Sequence, residues 1–315
     1  MRWASQCVDM ASIPAIIDAF FESKEYRELN ESSLLGHSPG HYYSPINNVG
    51  DLDLSKLEAD RRSAFEFVAP IKLSCADMEV IWRQIVALAG DFEFCDRPSP
   101  PARYYLDNPV YGSGDAIVLA AMFAMYRPKR VIEIGSGFSS ACMLDVVDVL
   151  RLETEFVFIE PYPNRLYALL TESDRRRCDI IVEPVQQTDP SLYSRLDRGD
   201  ILFIDSSHVV KSCSDVAYEL FTILPSLKEG VVIHFHDIFW PFEYPVGWIF
   251  NRKYSWNEIY FIRALLMYNN AFRIIFFNDA FACKCRDVIL ASTSAKVREL
   301  FLGNPGGGLW IQKNK

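Results

Sequence analysis

The stretch Arg130-Val-Ile-Glu-Ile-Gly-Ser-Gly-Phe-Ser-Ser140 constrains the fold of this chain more than any other. Val131, Ile132 and Ile134 form a short apolar run of the kind buried in parallel sheets. Gly135 and Gly137 then allow a tight turn and a close approach of backbone to ligand. An amphipathic segment follows, with Ala141, Leu144, Val147 and Val149 as its apolar positions. Strand, glycine turn and helix together predict a nucleotide site at a helix N-terminus. A dinucleotide fingerprint needs one more small residue at position 140, which is Ser140 here. Glu133 is more telling, because a buried acid two residues before Gly135 repels phosphate and suits a ligand with a cationic end.

The rest of the chain repeats the alternation. Phe156 to Ile159 reads as a second strand ending in Glu160, Ile180 to Val182 begins a third, and Ile201 to Ile204 is a fourth. Val231 to Ile233 opens a fifth that runs into His234-Phe-His-Asp237, where one histidine is expected to face the site and the other a helix layer. Arg273 to Phe277 and Leu309 to Lys313 are late strands, the second following Gly306-Gly-Gly308. Helical patterns lie between them, at Cys213 to Leu224 and Trp256 to Tyr268. This order predicts an α/β domain over 111–315, with a Rossmann-like, doubly wound, mainly parallel seven-stranded sheet. Residues 1–110 lack the alternation. Helices are expected there at Pro14 to Leu29, Ser55 to Phe67 and Asp77 to Leu88, forming a helical N-terminal extension that covers the ligand site.

Composition narrows the function. A net charge of −9, with Arg175-Arg176-Arg177 as the only basic run, argues against a nucleic-acid partner. That run reads as a solvated helix end. Eight cysteines form no Cys-x-x-Cys pair, and Cys283-Lys-Cys285 is expected on one face of a strand as small apolar residues. No apolar run approaches the ~20 residues of a membrane span. The expectation is a soluble, reduced, cytoplasmic protein with a small-molecule substrate and no membrane partner, self-association being left open.

Ligands of such sheets sit beyond the carboxyl ends of the strands. Glu133, Glu160, Asp205 and Asp237 fall at those ends. Glu160 follows Gly137 at the distance where an acid takes ribose hydroxyls, and Tyr162 and the Gln186-Gln187 loop are placed to flank adenine. Either glutamine could make that contact.

Glu-x-Gly-x-Gly after an apolar strand resembles the first motif of class I S-adenosylmethionine-dependent methyltransferases. The resemblance implies a cofactor site built from Glu133, Gly135, Ser136, Gly137, Ser139, Glu160, Pro161, Tyr162, Gln186, Gln187 and Asp205. Asp205-Ser-Ser-His208, with His236-Asp237 after the fifth strand, looks like the branch containing catechol and caffeoyl-CoA O-methyltransferases. It is also similar to bacterial methyltransferases that modify small molecules and sugars. In that branch the aspartate after strand four binds a divalent cation, and the residue three later is a general base. The resemblance therefore implies catalytic roles for His208 and Asp205, and a metal held by Asp205, His236 and Asp237. His236 stands where an acid is usual, which suits Mg²⁺ less than Mn²⁺, Fe²⁺ or Zn²⁺. Tyr42, Tyr43, Tyr111, Trp240, Tyr254 and Trp256 are the aromatic candidates for an acceptor pocket. The function implied is O-methylation of a hydroxyl on a sugar or natural-product intermediate. The alternatives are metal-free N-methylation and a non-catalytic cofactor-binding scaffold.

Overall fold

The computed structural model describes residues 37–59, 71–90 and 92–314. The helix expected at Pro14 to Leu29 lies outside them, as does most of that expected from Ser55, of which residues 54–59 are helical. The chain divides into two compact units, one running to Leu57 and including Val246–Ser255, the other comprising Glu58–Pro245 and Trp256–Lys315. In the first unit, His37, His41, Tyr42 and Tyr43 stack on one another in an exposed loop. The Asn47 amide donates to Ser255 Oγ at 3.2 Å, tying the two segments of that unit together.

The second unit holds one sheet of seven strands: β1 (Arg130–Ile134), β2 (Glu155–Ile159), β3 (Cys178–Ile181), β4 (Ile201–Ile204), β5 (Val232–Phe235), β6 (Phe272–Phe277) and β7 (Leu309–Lys313). Their order is β3-β2-β1-β4-β5-β7-β6, and β7 runs antiparallel to both of its neighbours. The order reverses between β1 and β4, which is where an open α/β sheet leaves a crevice. Backbone bonds continue past the strand ends: Gly135 donates to Ile159, Glu160 to Ile181, Asp205 to Ile134 and His236 to Ile204. The polar residues at those tips are thus fixed by the ladder.

Apolar residues explain the layers. The Ser113–Tyr126 helix is buried from Gly114 to Phe123 because it is apolar all round. The Cys75–Ala89 helix is capped by Ser74, whose side chain accepts from the Asp77 amide. It buries Met78, Trp82, Ile85 and Ala89 along one face. Trp82 packs against Phe276, Phe281 and Phe301, and its indole donates to Ser292 Oγ at 2.8 Å. This helix belongs to the same unit as the sheet.

Three local expectations change. Cys283 and Cys285 lie at the end of the Asn278–Lys284 helix and just beyond it, Cys283 exposed and Cys285 buried, so strand alternation does not apply. The segment after Cys213 becomes the Asp215–Tyr218 helix and then a wide π turn over Glu219–Ile223, which buries Glu219 and exposes Phe221. Finally, His234 and His236 share a face of β5 and its extension, their rings 5.9 Å apart. Residues two apart in a strand point the same way, so the opposite-face expectation fails on parity.

Candidate active site

Gly135 has φ +79°, and a side chain there would run into the Asp205 carbonyl. Only glycine lets β1 and β4 end so close together. Glu133 is fully buried, and its carboxylate accepts hydrogen bonds from Ser139 Oγ and Ser140 Oγ in the first turn of the Phe138–Leu150 helix. Ser140 Oγ in turn accepts from the Gly137 amide at 2.9 Å. The acid therefore braces the glycine turn from within, and burial pushes its carboxyl up to about 8 against the pull of these serines. Glu160 accepts from the Ser136 amide at 3.2 Å and from the Tyr162 amide at 2.8 Å.

These tips surround a cleft of about 460 Å³ lined by Gly135, Glu160, Pro161, Tyr162, Gln186 and Asp205, with Ser206, Ser207, Lys211 and Asp215 on its far wall. Gln186 lines the cleft and Gln187 does not. Glu133, Ser136, Gly137 and Ser139 stand behind the lining rather than in it.

Asp205 also belongs to a second group. The ligand atoms of Asp205, His208 and Asp237 all lie within 4.8 Å of one another. His208 Nε2 is 3.6 Å from Asp205 Oδ1 and 3.5 Å from Asp237 Oδ2. His236 Nδ1 is 3.4 Å from Asp205 Oδ1 and 3.4 Å from Asp237 Oδ1. His208 and Asp237 both adopt left-handed backbone conformations, φ +60° and +58°. Each costs about 1 kcal/mol or more and persists only where surrounding bonds hold it. The amides of Asn257 and Glu258 donate to the His208 carbonyl, and the Ile238 amide, just past Asp237, donates to Gly307.

Two buried acids stand behind the histidines. Glu258 begins the Glu258–Leu266 helix, and its Oε2 meets His208 Nδ1 at 2.8 Å. Burial acts to lower the His208 pKa, but the Glu258 bond and charge, with Asp237 and Asp205, push it up to about 9. These acids thus favour the imidazolium form of His208 over the neutral base that its ordinary pKa would allow. Behind His236 lies Asp115, whose Oδ2 is 3.4 Å from Nε2. Asp115 is held by the Gly308 amide and by Asn278 Nδ2, and any side chain on Gly306 would collide with it. No site role was assigned to Asp115, Glu258 or the glycine run from sequence. Their proximity is purely tertiary, although a buried acid inside an apolar helix was a signal for Asp115.

The aromatic candidates separate. Trp256 lies against His208, ring centroids 4.4 Å apart. Tyr111 is buried and stacks on His236 at 5.4 Å. Trp240 is buried among Phe242 and Phe277, with Lys284 over its ring. Tyr42, Tyr43 and Tyr254 belong to the first unit, where Tyr254 packs near Trp248 and Arg252.

Residues 132–238 match the family model of the methyltransferase domain. An uncharacterized protein of Archaeoglobus fulgidus is 31% identical over 169 residues, covering 52% of this chain and 75% of that protein. Among solved structures, an S-adenosylhomocysteine-bound methyltransferase of Podospora anserina is 16% identical, covering 84% of this chain and 98% of that one, with TM-score 0.41. The cmcI protein with Mg and S-adenosylmethionine is 12% identical, covering 71% of this chain and 89% of that one, with TM-score 0.38. The sheet order, the glycine turn at its switch point and the family match define the class. The chain belongs to the S-adenosylmethionine-dependent methyltransferases, and it is an enzyme of that class. No helix among the described residues is long and apolar enough to cross a membrane.

Proposed function

We propose that the enzyme methylates a hydroxyl of a small molecule, a sugar or natural-product intermediate, with help from a divalent cation. The observation that carries this reading is the double placement of Asp205, which lines the cofactor cleft and also faces His208 and His236. An acceptor oxygen held at that cluster would lie beside the methyl donor, and alignment of that kind is worth about 7 kcal/mol or more. A sulfonium is already a strong electrophile, so the remaining task is removal of the hydroxyl proton.

Asp205, Asp237 and His236 would hold the cation, whose chemistry is to lower the pKa of the acceptor hydroxyl. His208 Nε2 would take the proton, with Nδ1–H fixed on Glu258. Cation charge beside Asp205 and Asp237 would offset two of the three acids that favour protonation of His208. Trp256, packed on the His208 ring, is the aromatic wall that the acceptor would meet. An amine acceptor needs no such cluster, which favours O- over N-methylation.

The test is methyl transfer from labelled S-adenosylmethionine to parallel panels of phenols, sugars and amines. We expect hydroxyl acceptors to be labelled, His208→Ala to lower kcat about 10²–10⁴-fold, and chelation to abolish turnover reversibly. Labelling of amines alone, indifferent to chelator, would remove the proposal.

A further inference from the structure

His236 sits in an unusual electrostatic position. It is 5% exposed, and both ring nitrogens lie within 3.4 Å of carboxylate oxygens, from Asp115 on one side and from Asp205 and Asp237 on the other. Yet neither nitrogen satisfies hydrogen-bond geometry with any partner among the described residues. A buried polar atom left in that state costs about 1–3 kcal/mol. The Nδ1 edge faces two carboxylates that are themselves partly open, with side chains 30% and 18% exposed. A cation entering between these three donors would satisfy all of them at once.

From this arrangement we infer that the site selects a borderline divalent metal ion, of the Co²⁺ or Zn²⁺ kind, over Mg²⁺. His236 is the selecting ligand and Asp115 the residue that aims it. The inference rests on the cation-assisted reading above and gives the cation its chemical class.

Three observations support it. First, imidazole nitrogen is a poor ligand for Mg²⁺, which prefers oxygen and retained water, and a good one for later divalent ions. Second, His236 Nδ1 lies 3.4 Å from Asp205 Oδ1 and 3.4 Å from Asp237 Oδ1, so one imidazole nitrogen and two carboxylates converge on the same space. Third, the far nitrogen faces Asp115, which is anchored by Gly308 and Asn278, and metal-bound histidines are oriented by just such a carboxylate.

The experiment strips the purified enzyme with chelator, dialyses it against equimolar Mg²⁺, Mn²⁺, Co²⁺ and Zn²⁺, and measures retained metal by mass spectrometry. The Co²⁺ form is also examined by visible absorption for bands from nitrogen ligation. Wild type should retain Co²⁺ and Zn²⁺ at least tenfold over Mg²⁺. His236→Asp, which exchanges nitrogen for oxygen, should move that ratio toward Mg²⁺ by tenfold or more, with unfolding and S-adenosylmethionine binding recorded as controls for the fold. Should His236→Asp fail to fold, Asp115→Asn carries the test, with Co²⁺ and Zn²⁺ affinity expected to fall 10–100-fold. Equal or greater retention of Mg²⁺ by wild type, no retained cation, or a ratio unmoved in the folded variant overturns the inference. Methyl transfer supported by Mg²⁺ alone would overturn it while leaving the proposed reaction standing. Retained Co²⁺ or Zn²⁺ in an enzyme that methylates no hydroxyl would do the reverse.

Discussion

At the scale of single residues, Glu133 does something different from what its position first suggests. Its carboxylate is spent on Ser139 and Ser140, so it holds the glycine turn in shape from below the cleft. Its pKa is raised from 4.5 to about 8 by burial. For a group raised in the folded state, stability is fully present below the unfolded value and is lost as pH rises through the folded one. Wild type should therefore lose stability between about pH 4.5 and 8. Glu133→Gln, which cannot ionise, should flatten that decline, as read by denaturant midpoints across the range; an unchanged slope would remove Glu133 as its source. The cleft-lining residues Gly135, Glu160 and Gln186 were legible because each follows from chain-local rules: a glycine turn, an acid after a strand, a loop after the next. Glu258 and Asp115 were not, since no spacing relates residue 258 to 208 or residue 115 to 236. His208 was visible as a candidate, but its charge state depends on Glu258 and so could not be read from its own neighbours.

Between elements, a buried ion-pair junction lies away from the cleft. Arg103 is 11% exposed at its side chain and bridges Asp145 at 2.8 Å, Asp148 at 2.8 Å and Asp174 at 2.7 Å. It thereby ties the connector before the Ser113–Tyr126 helix to the Phe138–Leu150 and Glu172–Arg177 helices. Arg177 joins the same network through Asp148 and Asp174, so the basic run is only partly a solvated helix end. Burial alone would raise the Asp174 carboxyl, but bonds from Arg103 and Thr171 outweigh it and hold it well below the usual range. A depressed acid contributes stability above its unfolded pKa and loses it as pH falls. Arg103→Met should cost about 3 kcal/mol at neutral pH by leaving buried acid unpaired. It should also reduce the wild-type loss of stability below about pH 4, where Asp174 begins to protonate in the unfolded chain. Thermal unfolding at pH 7 and pH 3.5 checks both, and a variant as stable as wild type at neutral pH would show the network to be idle. Element boundaries were legible to within a few residues in the sheet because buried parallel strands are continuous apolar runs. The π turn at Glu219–Ile223 was not, because its apolar residues were counted at ordinary helical spacing.

Across the whole molecule, the sheet order places the cleft and the Asp205–His208–Asp237 group on neighbouring strand tips, and Asp205 is the residue they share. The cleft is assembled from the ends of β1, β2 and β4 and the loop after β3, so a ligand held there would tie together segments far apart in sequence. Ligand that binds only the folded state stabilises it by about 2.7 kcal/mol at a hundred times its Kd. Saturating S-adenosylmethionine should accordingly raise the unfolding temperature by several degrees. Because His208 is outside the cleft lining, His208→Ala should keep that rise while losing methyl transfer. Glu160→Gln should lose most of the rise while keeping the ligand-free midpoint near that of wild type. Asp205→Asn stands in both groups and should lose both signals. Should His208→Ala abolish the cofactor-induced rise, the two halves of the site would have to be treated as one, and the separation of donor cleft from acceptor cluster would fail.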